Sequence, residues 1–318
     1  MRIGLIVSPW IAPQVLGAIP KTCQVVGVGT AEVTPGIEAT LSAVQQVYGY
    51  PCLRLKRTTL KEQLREWIEG QRADIVLVVT FAHRIPAAVL SIPPLGFLNF
   101  HPGQLPAFRG ADPIFLQIRQ RGGLGGWTVH RMEADFDTGP ILDTYYTPIP
   151  PTDTYGHQVG RLKELVKTAV HTTTIKAASG RLLFRPQEAA GAAYYGKVRE
   201  ADLGVDWHDD PEAIGALVRA ANPEYRGAIA TFRGKRCFIQ ECRVESPPHP
   251  HPPVAPGTVV DRRALDGTPG LWVAGGDGRL VGLEVLSLDE GTYSGSRLLE
   301  VFAVQPGECF SGPSLQRV

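Results

Sequence analysis

The sequence has 318 residues, 43% of them hydrophobic and 20% charged, with a formal net charge of +1. That balance describes a folded globular protein and excludes a disordered or fibrous chain. It also excludes a protein drawn as a whole to nucleic acid or anionic lipid, although a local basic patch remains compatible with it.

Five cysteines (Cys23, Cys52, Cys237, Cys242, Cys309) lack the paired spacing of a disulfide framework or zinc knuckle. They read as thiols of a reducing compartment. The opening MRIGLIVSPW is too short and too strand-like for a secretory leader. No apolar run reaches the roughly 18 residues of a membrane span, so a cytoplasmic protein without membrane attachment is expected.

Residues 1–8 (MRIGLIVS) predict a buried strand, apolar almost throughout. A short helix over 12–19, a strand over 24–28, a helix over 37–48 and a weak strand over 52–55 follow. Residues 59–71 form an amphipathic pattern with Leu60, Leu64 and Ile68 on one face. Strands are predicted over 74–79, 96–100, 127–132 and 141–148, with helices over 113–121 and 155–179. This alternation predicts an α/β fold, a mostly parallel sheet with helices on both faces. After residue 188 the composition changes. A helix over 211–221 precedes short strands over 228–232, 236–240, 271–274 and 280–286, separated by turns such as Arg233-Gly234 and Gly275-Gly276-Asp277-Gly278. That pattern predicts a second domain over 189–318, a small β-barrel or sandwich, with proline-rich 246–256 as a loop.

The chemistry is concentrated in residues 95–142. Asn99 and His101, two apart at a strand end, point to one side. A carboxyl strand edge is where open α/β sheets hold ligands. Pro102, Pro106 and Gly110 force an irregular loop, and a second loop over 133–139 delivers Asp137. An imidazole can take the proton that an attacking amine releases. An Asn amide can donate to a tetrahedral oxyanion. A carboxylate can orient the imidazole and hold its charged form. Singly, a strand-end His, an Asp in a DTG turn and Arg109-Gly110 also read as structural or turn residues.

The run Asn99-Phe100-His101-Pro102, Leu105-Pro106, Phe108-Arg109-Gly110-Ala111, followed by His130-Arg131-Met132 and Asp135-Phe136-Asp137-Thr138-Gly139-Pro140-Ile141, resembles the signature of the 10-formyltetrahydrofolate formyltransferases. The resemblance implies a formyltransferase with Asn99, His101 and Asp137 as its catalytic triad. It implies 10-formyltetrahydrofolate as formyl donor, held by Thr80, Phe81, Ala82, Arg84, Ile85 and Pro86 on one side and Ala134, Asp135 and Phe136 on the other. Pro9, Gly103, Gln104, Arg109 and Gly110 become acceptor-side candidates. The family's Rossmann-like sheet lacks a GxGxxG, and none follows residues 1–8 here. The second half resembles the C-terminal domain of the methionyl-tRNA and amino-arabinose members through Val205-Asp206-Trp207, Asn222-Pro223 and Pro256-Gly257-Thr258-Val259. That implies an OB-like barrel, a fold able to bind nucleic acid but not proof of it.

Two departures bear on the acceptor. Gly103 and Gln104 stand where the family usually carries a Ser after His-Pro, which removes a hydroxyl. Residues 29–50 contain no Lys or Arg, where methionyl-tRNA formyltransferases carry a basic insertion. Residues 191–318 hold 13 Lys and Arg against 17 Asp and Glu, a balance of −4, which leaves +5 for the catalytic half. Phosphates of tRNA normally require several cations. Arg233-Gly234-Lys235-Arg236 and Arg262-Arg263 are the candidates, and they read equally as turns. A small-molecule amine, such as an amino sugar, is therefore favoured as acceptor, with methionyl-tRNA as the alternative. Formyl transfer to water and a non-catalytic RNA-binding role are the rivals. His130 and Arg131 read as packing or sheet-face residues. His249 and His251 lack a third ligand at suitable spacing, so no metal is expected.

Overall fold

The computed structural model describes residues 1–32, 36–245, 253–260 and 270–313. In chain order come β1 (Arg2–Val7), α1 (Ala12–Ala18), β2 (Gln24–Ala31), α2 (Ile37–Tyr48), β3 (Cys52–Leu55), α3 (Leu60–Gln71), β4 (Ile75–Val79), α4 (Ala87–Leu90) and β5 (Phe97–His101). They continue with β6 (Arg109–Gly110), α5 (Pro113–Arg119), β7 (Leu124–Arg131), β8 (Ile141–Pro148), α6 (Tyr155–Ala178) and β9 (Tyr194–Tyr195). Two compact units emerge. The first comprises Met1–Pro113, Leu124–Pro148 and Gly160–Tyr195; the second comprises Ile114–Gly123, Ile149–Val159 and the chain from Gly196 onward.

The first unit is built on one sheet of order β3-β2-β1-β4-β5-β7-β8. Its first five strands pair in parallel, and β7 and β8 continue it antiparallel. On α3, Leu60, Leu64 and Ile68 recur at helical spacing and, with Trp67, bury against Ile6, Val26, Val76 and Val78. Side chains alternate across a strand, so Leu5, Val7, Leu77 and Val79 face the other side, where they are equally buried. Coverage on both faces is why β1 and β4 carry uninterrupted apolar runs.

The strand order reverses at β1, with β2 and β3 built outward on one side and β4 and β5 on the other. The carboxyl ends of β1, β4 and β5 therefore share the edge where such sheets bind ligands. The turn after β1 is tied to the end of β4, because Ser8 N–H donates to Val79 O (3.3 Å) and the Ser8 hydroxyl donates to Thr80 O.

The second unit contains α7 (Pro211–Ala221), β10 (Ala228–Phe232), β11 (Lys235–Val244), β12 (Val259–Val260), β13 (Leu271–Ala274), β14 (Leu280–Leu288), β15 (Gly291–Ser294), α8 (Gly295–Val301) and β16 (Phe310–Ser311). α7 starts on an Asp210 cap, whose carboxylate accepts from Ala213 N–H at 2.8 Å, followed by Pro211. The antiparallel sheet runs β12-β13-β14-β11-β10-β16, with β15 on β14. Its ends nearly close: Val259 N–H donates to Glu308 O (2.7 Å) and Phe310 N–H donates to Gly257 O (2.8 Å). Near-closure removes exposed sheet edges, as in the expected barrel. His249, His251, Arg262 and Arg263 lie outside the described residues.

Candidate active site

β5 carries Asn99 and His101 to the carboxyl edge of the sheet. The antiparallel ladder to β7 sets Asn99 opposite His130 and His101 opposite Thr128. Asp137 arrives from the 133–139 loop in left-handed backbone, φ 56°. Three side chains converge on one Asp137 oxygen. His101 Nδ1 lies 3.5 Å from Asp137 Oδ1, His130 Nε2 lies 3.5 Å from it, and Asn99 Nδ2 donates to it at 3.3 Å. The other carboxylate oxygen accepts from Gly110 N–H at 2.9 Å. His101 is 4% exposed, His130 1% and Asp137 8%.

A carbonyl only accepts, so the backbone fixes both tautomers. His101 donates Nε2–H to Phe108 O (2.6 Å), and His130 donates Nδ1–H to Arg131 O (2.9 Å). His130 Nε2 is left to accept from Asn99 Nδ2 (3.0 Å), and His101 Nδ1 faces the carboxylate. Burial pushes the His101 pKa down; the Asp137 charge works against that and the neighbouring His130 adds to it. Burial alone would raise Asp137. The His101 charge, the His130 bond and the Gly110 N–H outweigh it and hold the carboxyl at about 2. At neutral pH the site thus holds a carboxylate against a neutral imidazole, whose open Nδ1 gains a charge partner on taking a proton. Both amide hydrogens of Asn99 serve Asp137 and His130, so a developing oxyanion must compete for one of them.

The surrounding loops hold Asp137 rigidly. Gly110 has φ 100°, and a Cβ there would fall 2.0 Å from Tyr195 O; only glycine presents its N–H to Asp137 in this conformation. Gln187 Nε2 donates to Asp137 O (2.8 Å) and Gly139 O (2.7 Å). Arg109, an acceptor-side candidate, spends its guanidinium on Gln187 Oε1 at 2.7 and 3.1 Å. Gly103 is buried, with a Cβ position 2.7 Å from Pro113 Cβ and 3.0 Å from His101 Nε2, so the missing hydroxyl corresponds to missing space. Its carbonyl accepts from the Thr128 hydroxyl at 2.6 Å. Gln104 donates to Leu124 O at 2.9 Å, and Pro9 is half-buried in the turn after β1.

Arg84 stitches the two donor-side loops together. Its Nε donates to Ala134 O (2.7 Å), its Nη2 donates to Asp135 Oδ1 (2.8 Å), and its guanidinium stands 6.0 Å from the exposed Phe136 ring. Ile85 is buried and Phe81 leans on the same core, so their side chains serve packing, while Ala82 is exposed and Pro86 opens α4. Thr80 has φ 56° and a buried hydroxyl without a partner, an unmet polar group at the ligand edge. His130 and Gln187 are the members that sequence reasoning missed. Register opposite Asn99 marks the first, and register is not written in a strand's composition. Gln187 comes from a segment 50 residues beyond Asp137.

Among the described residues no group of three or more His, Cys, Asp or Glu side chains could hold a metal ion, and no helix is long and apolar enough to cross a membrane. The family described as Formyl transferase matches residues 22–174, and Formyl transferase, C-terminal domain, matches residues 197–300. A methionyl-tRNA formyltransferase of Stenotrophomonas maltophilia is 33% identical over 88% of this chain and 91% of its own length. HypX from Aquifex aeolicus, solved with tetrahydrofolic acid, superposes on 97% of this chain and 48% of its own with a TM-score of 0.62 at 18% identity. The chain thus spans about half the length of HypX. An N-formyltransferase from Helicobacter canadensis, in complex with folinic acid and dTDP-3-aminofucose, covers 92% of this chain and 99% of its own with a TM-score of 0.66 at 14% identity. At those identities the two structures speak for the fold alone.

Proposed function

The chain belongs to the formyl transferase family, and we propose that it transfers a formyl group from 10-formyltetrahydrofolate to the amine of methionyl-tRNA. The observation that carries the reading is the convergence of Asn99, His101 and His130 on one buried oxygen of the Asp137 carboxylate at the carboxyl edge of a mostly parallel sheet. Folates bound in structures of the same fold support the donor, as do the two stitched loops and the unpaired Thr80 hydroxyl beside them.

The acceptor amine adds to the formyl carbon. Asn99 and His101 stabilise the oxygen that becomes negative, with the Asn99 amide released from one present partner. The amine proton passes to His101 Nδ1, directly or through a water held by Asp137, and then to the folate nitrogen as its bond to the formyl carbon breaks. Asp137 makes Nδ1 a stronger base in the transition state than the buried ring would otherwise be.

The names of curated relatives at 29–36% identity turn the acceptor from the small amine favoured by charge toward tRNA. One observation keeps the small amine as a second reading. Arg233 pairs with Glu308, Lys235 with Glu290 and Arg236 with Glu200, so the one described basic cluster of the barrel is already neutralised. The test is tetrahydrofolate release in the presence of charged initiator tRNA, a nucleotide-linked amino sugar, or no acceptor. Release that tracks formylmethionyl-tRNA is expected. Equal release as formate without any acceptor would mark a hydrolase and overturn the reading.

A further inference from the structure

Trp10 lies outside the machinery described so far. It stands in the turn between β1 and α1 and is 37% exposed, whereas Trp67, Trp127, Trp207 and Trp272 are all buried. The Lys163 ammonium, from α6, sits 5.7 Å from the centroid of its ring. Among the described residues no carboxylate pairs with Lys163; its neighbour Glu164 is taken by Lys167. One helical turn further on, Gln14 of α1 carries a buried side-chain oxygen with no donor. An exposed indole from the β1–α1 turn and, from α6, a cation with no carboxylate partner among the described residues thus meet face to face.

The location gives them a purpose. The turn leaves β1 at the point where the strand order reverses. β4 separates β1 from β5, and two strand spacings of about 4.8 Å put this turn about 10 Å from the Asn99 and His101 strand. The turn is also bonded to β4 through Ser8.

We infer that Trp10 and Lys163 form a platform for the nucleotide end of the acceptor, with the base stacked on the indole and an adjoining phosphate on the ammonium. The inference rests on the formyl-transfer reading, since it assigns the platform to the acceptor. An indole accepts any base on its face, and a lysine meets phosphate as a point charge. Two sources share this chemistry: the terminal adenosine nucleotide of a tRNA and the nucleoside diphosphate of an activated amino sugar.

The test is calorimetric titration of the full chain with adenosine monophosphate, thymidine diphosphate and orthophosphate, with iodide quenching of the one exposed tryptophan as a position marker. At least one nucleotide should bind, shield Trp10 from iodide and outcompete orthophosphate. Trp10→Leu should weaken that nucleotide about tenfold, the scale of one lost stack. Trp10→Phe should recover most of it, which a merely structural role would not predict. Lys163→Gln should weaken the nucleotide severalfold and leave the nucleoside unaffected. Preference for the adenosine compound assigns the platform to tRNA, and preference for thymidine diphosphate to an activated sugar. No nucleotide binding, or equal binding by Trp10→Leu and wild type, overturns the inference. A parallel titration with 5-formyltetrahydrofolate separates the two readings: folate binding without nucleotide binding sinks only the platform, and nucleotide binding without folate binding sinks only the donor assignment.

Discussion

Asp137→Asn isolates what the carboxylate charge contributes. The amide keeps the size of the side chain and an oxygen for the Gly110 N–H, so the change is chiefly electrostatic. In the wild type, a proton taken at His101 Nδ1 lies 3.5 Å from Asp137 Oδ1. At an effective dielectric of about 20, such a pair is worth about 4 to 5 kcal/mol, or about three orders of magnitude in turnover. Loss of the charge also removes the influence that holds the His101 pKa up against burial. The acid limb of the kcat–pH profile, where the base becomes protonated, should therefore move to lower pH as turnover falls. Stability gives an independent readout. Asp137 is held at about 2 against an ordinary 3.8. A carboxyl depressed in the folded state stabilises above its unfolded value and ceases to as pH falls. The wild type should lose about 2 kcal/mol between roughly pH 4 and pH 2, and the variant should lack that step. A shallower loss should begin below about pH 6.5 in both proteins, because the unfolded imidazole takes a proton that buried His101 resists. Steady-state tetrahydrofolate release and denaturant titrations across pH measure all three. A folded variant with turnover within tenfold of wild type and an unmoved acid limb would refute the electrostatic role.

Asn99→Ala should cost about 10²- to 10³-fold in kcat, the scale of one lost oxyanion donor, with donor KM little changed. His130→Leu removes the acceptor that orients the Asn99 amide. A kcat loss of about 5- to 100-fold, matching 1 to 3 kcal/mol for an unsatisfied buried group, is expected in single-turnover assays. Gly103→Ala forces a methyl against Pro113 and His101 and should lower stability by about 1 to 3 kcal/mol, read by urea titration, together with activity. Arg84→Ala unties the two donor-side loops, so donor KM should rise by about tenfold, the size of one lost charge-assisted contact, more than kcat falls.

Legibility in the sequence followed the physics of each element. α2, β3, β8 and α7 fall on their predicted bounds, α2 through its helical apolar spacing and α7 through its Asp210 cap. β12, β15 and β16, two to four residues long, carry no period to detect, and β11 extends to ten residues because its pairing with β14 carries on past the expected end. The site divides the same way. Asn99, His101 and Asp137 were legible because each sits at a strand end or a DTG turn that local sequence marks. His130 was not, because a histidine inside WTVHRM looks the same in either register, and only the ladder with β5 brings it to the site. Gln187 was not, because its bonds reach back to the 133–139 loop from an irregular segment without a local signature.

The same distinction explains why the acceptor resists a reading by charge. The proposed chemistry rests on His101, His130 and Asp137, each at most 8% exposed, and on half-buried Asn99, where burial and fixed tautomers dictate what each group can do. The acceptor is set by exposed side chains whose charge counts only after their partners are known. A sum of −4 over residues 191–318 took every lysine and arginine as available. Arg233, Lys235 and Arg236 are each matched by a glutamate, whereas Lys163, in the half that sums to +5, has a tryptophan ring and no carboxylate partner among the described residues. A phosphate-bearing acceptor would respond to a local cation beside an aromatic face, such as Lys163 against Trp10, and not to the net charge of either half.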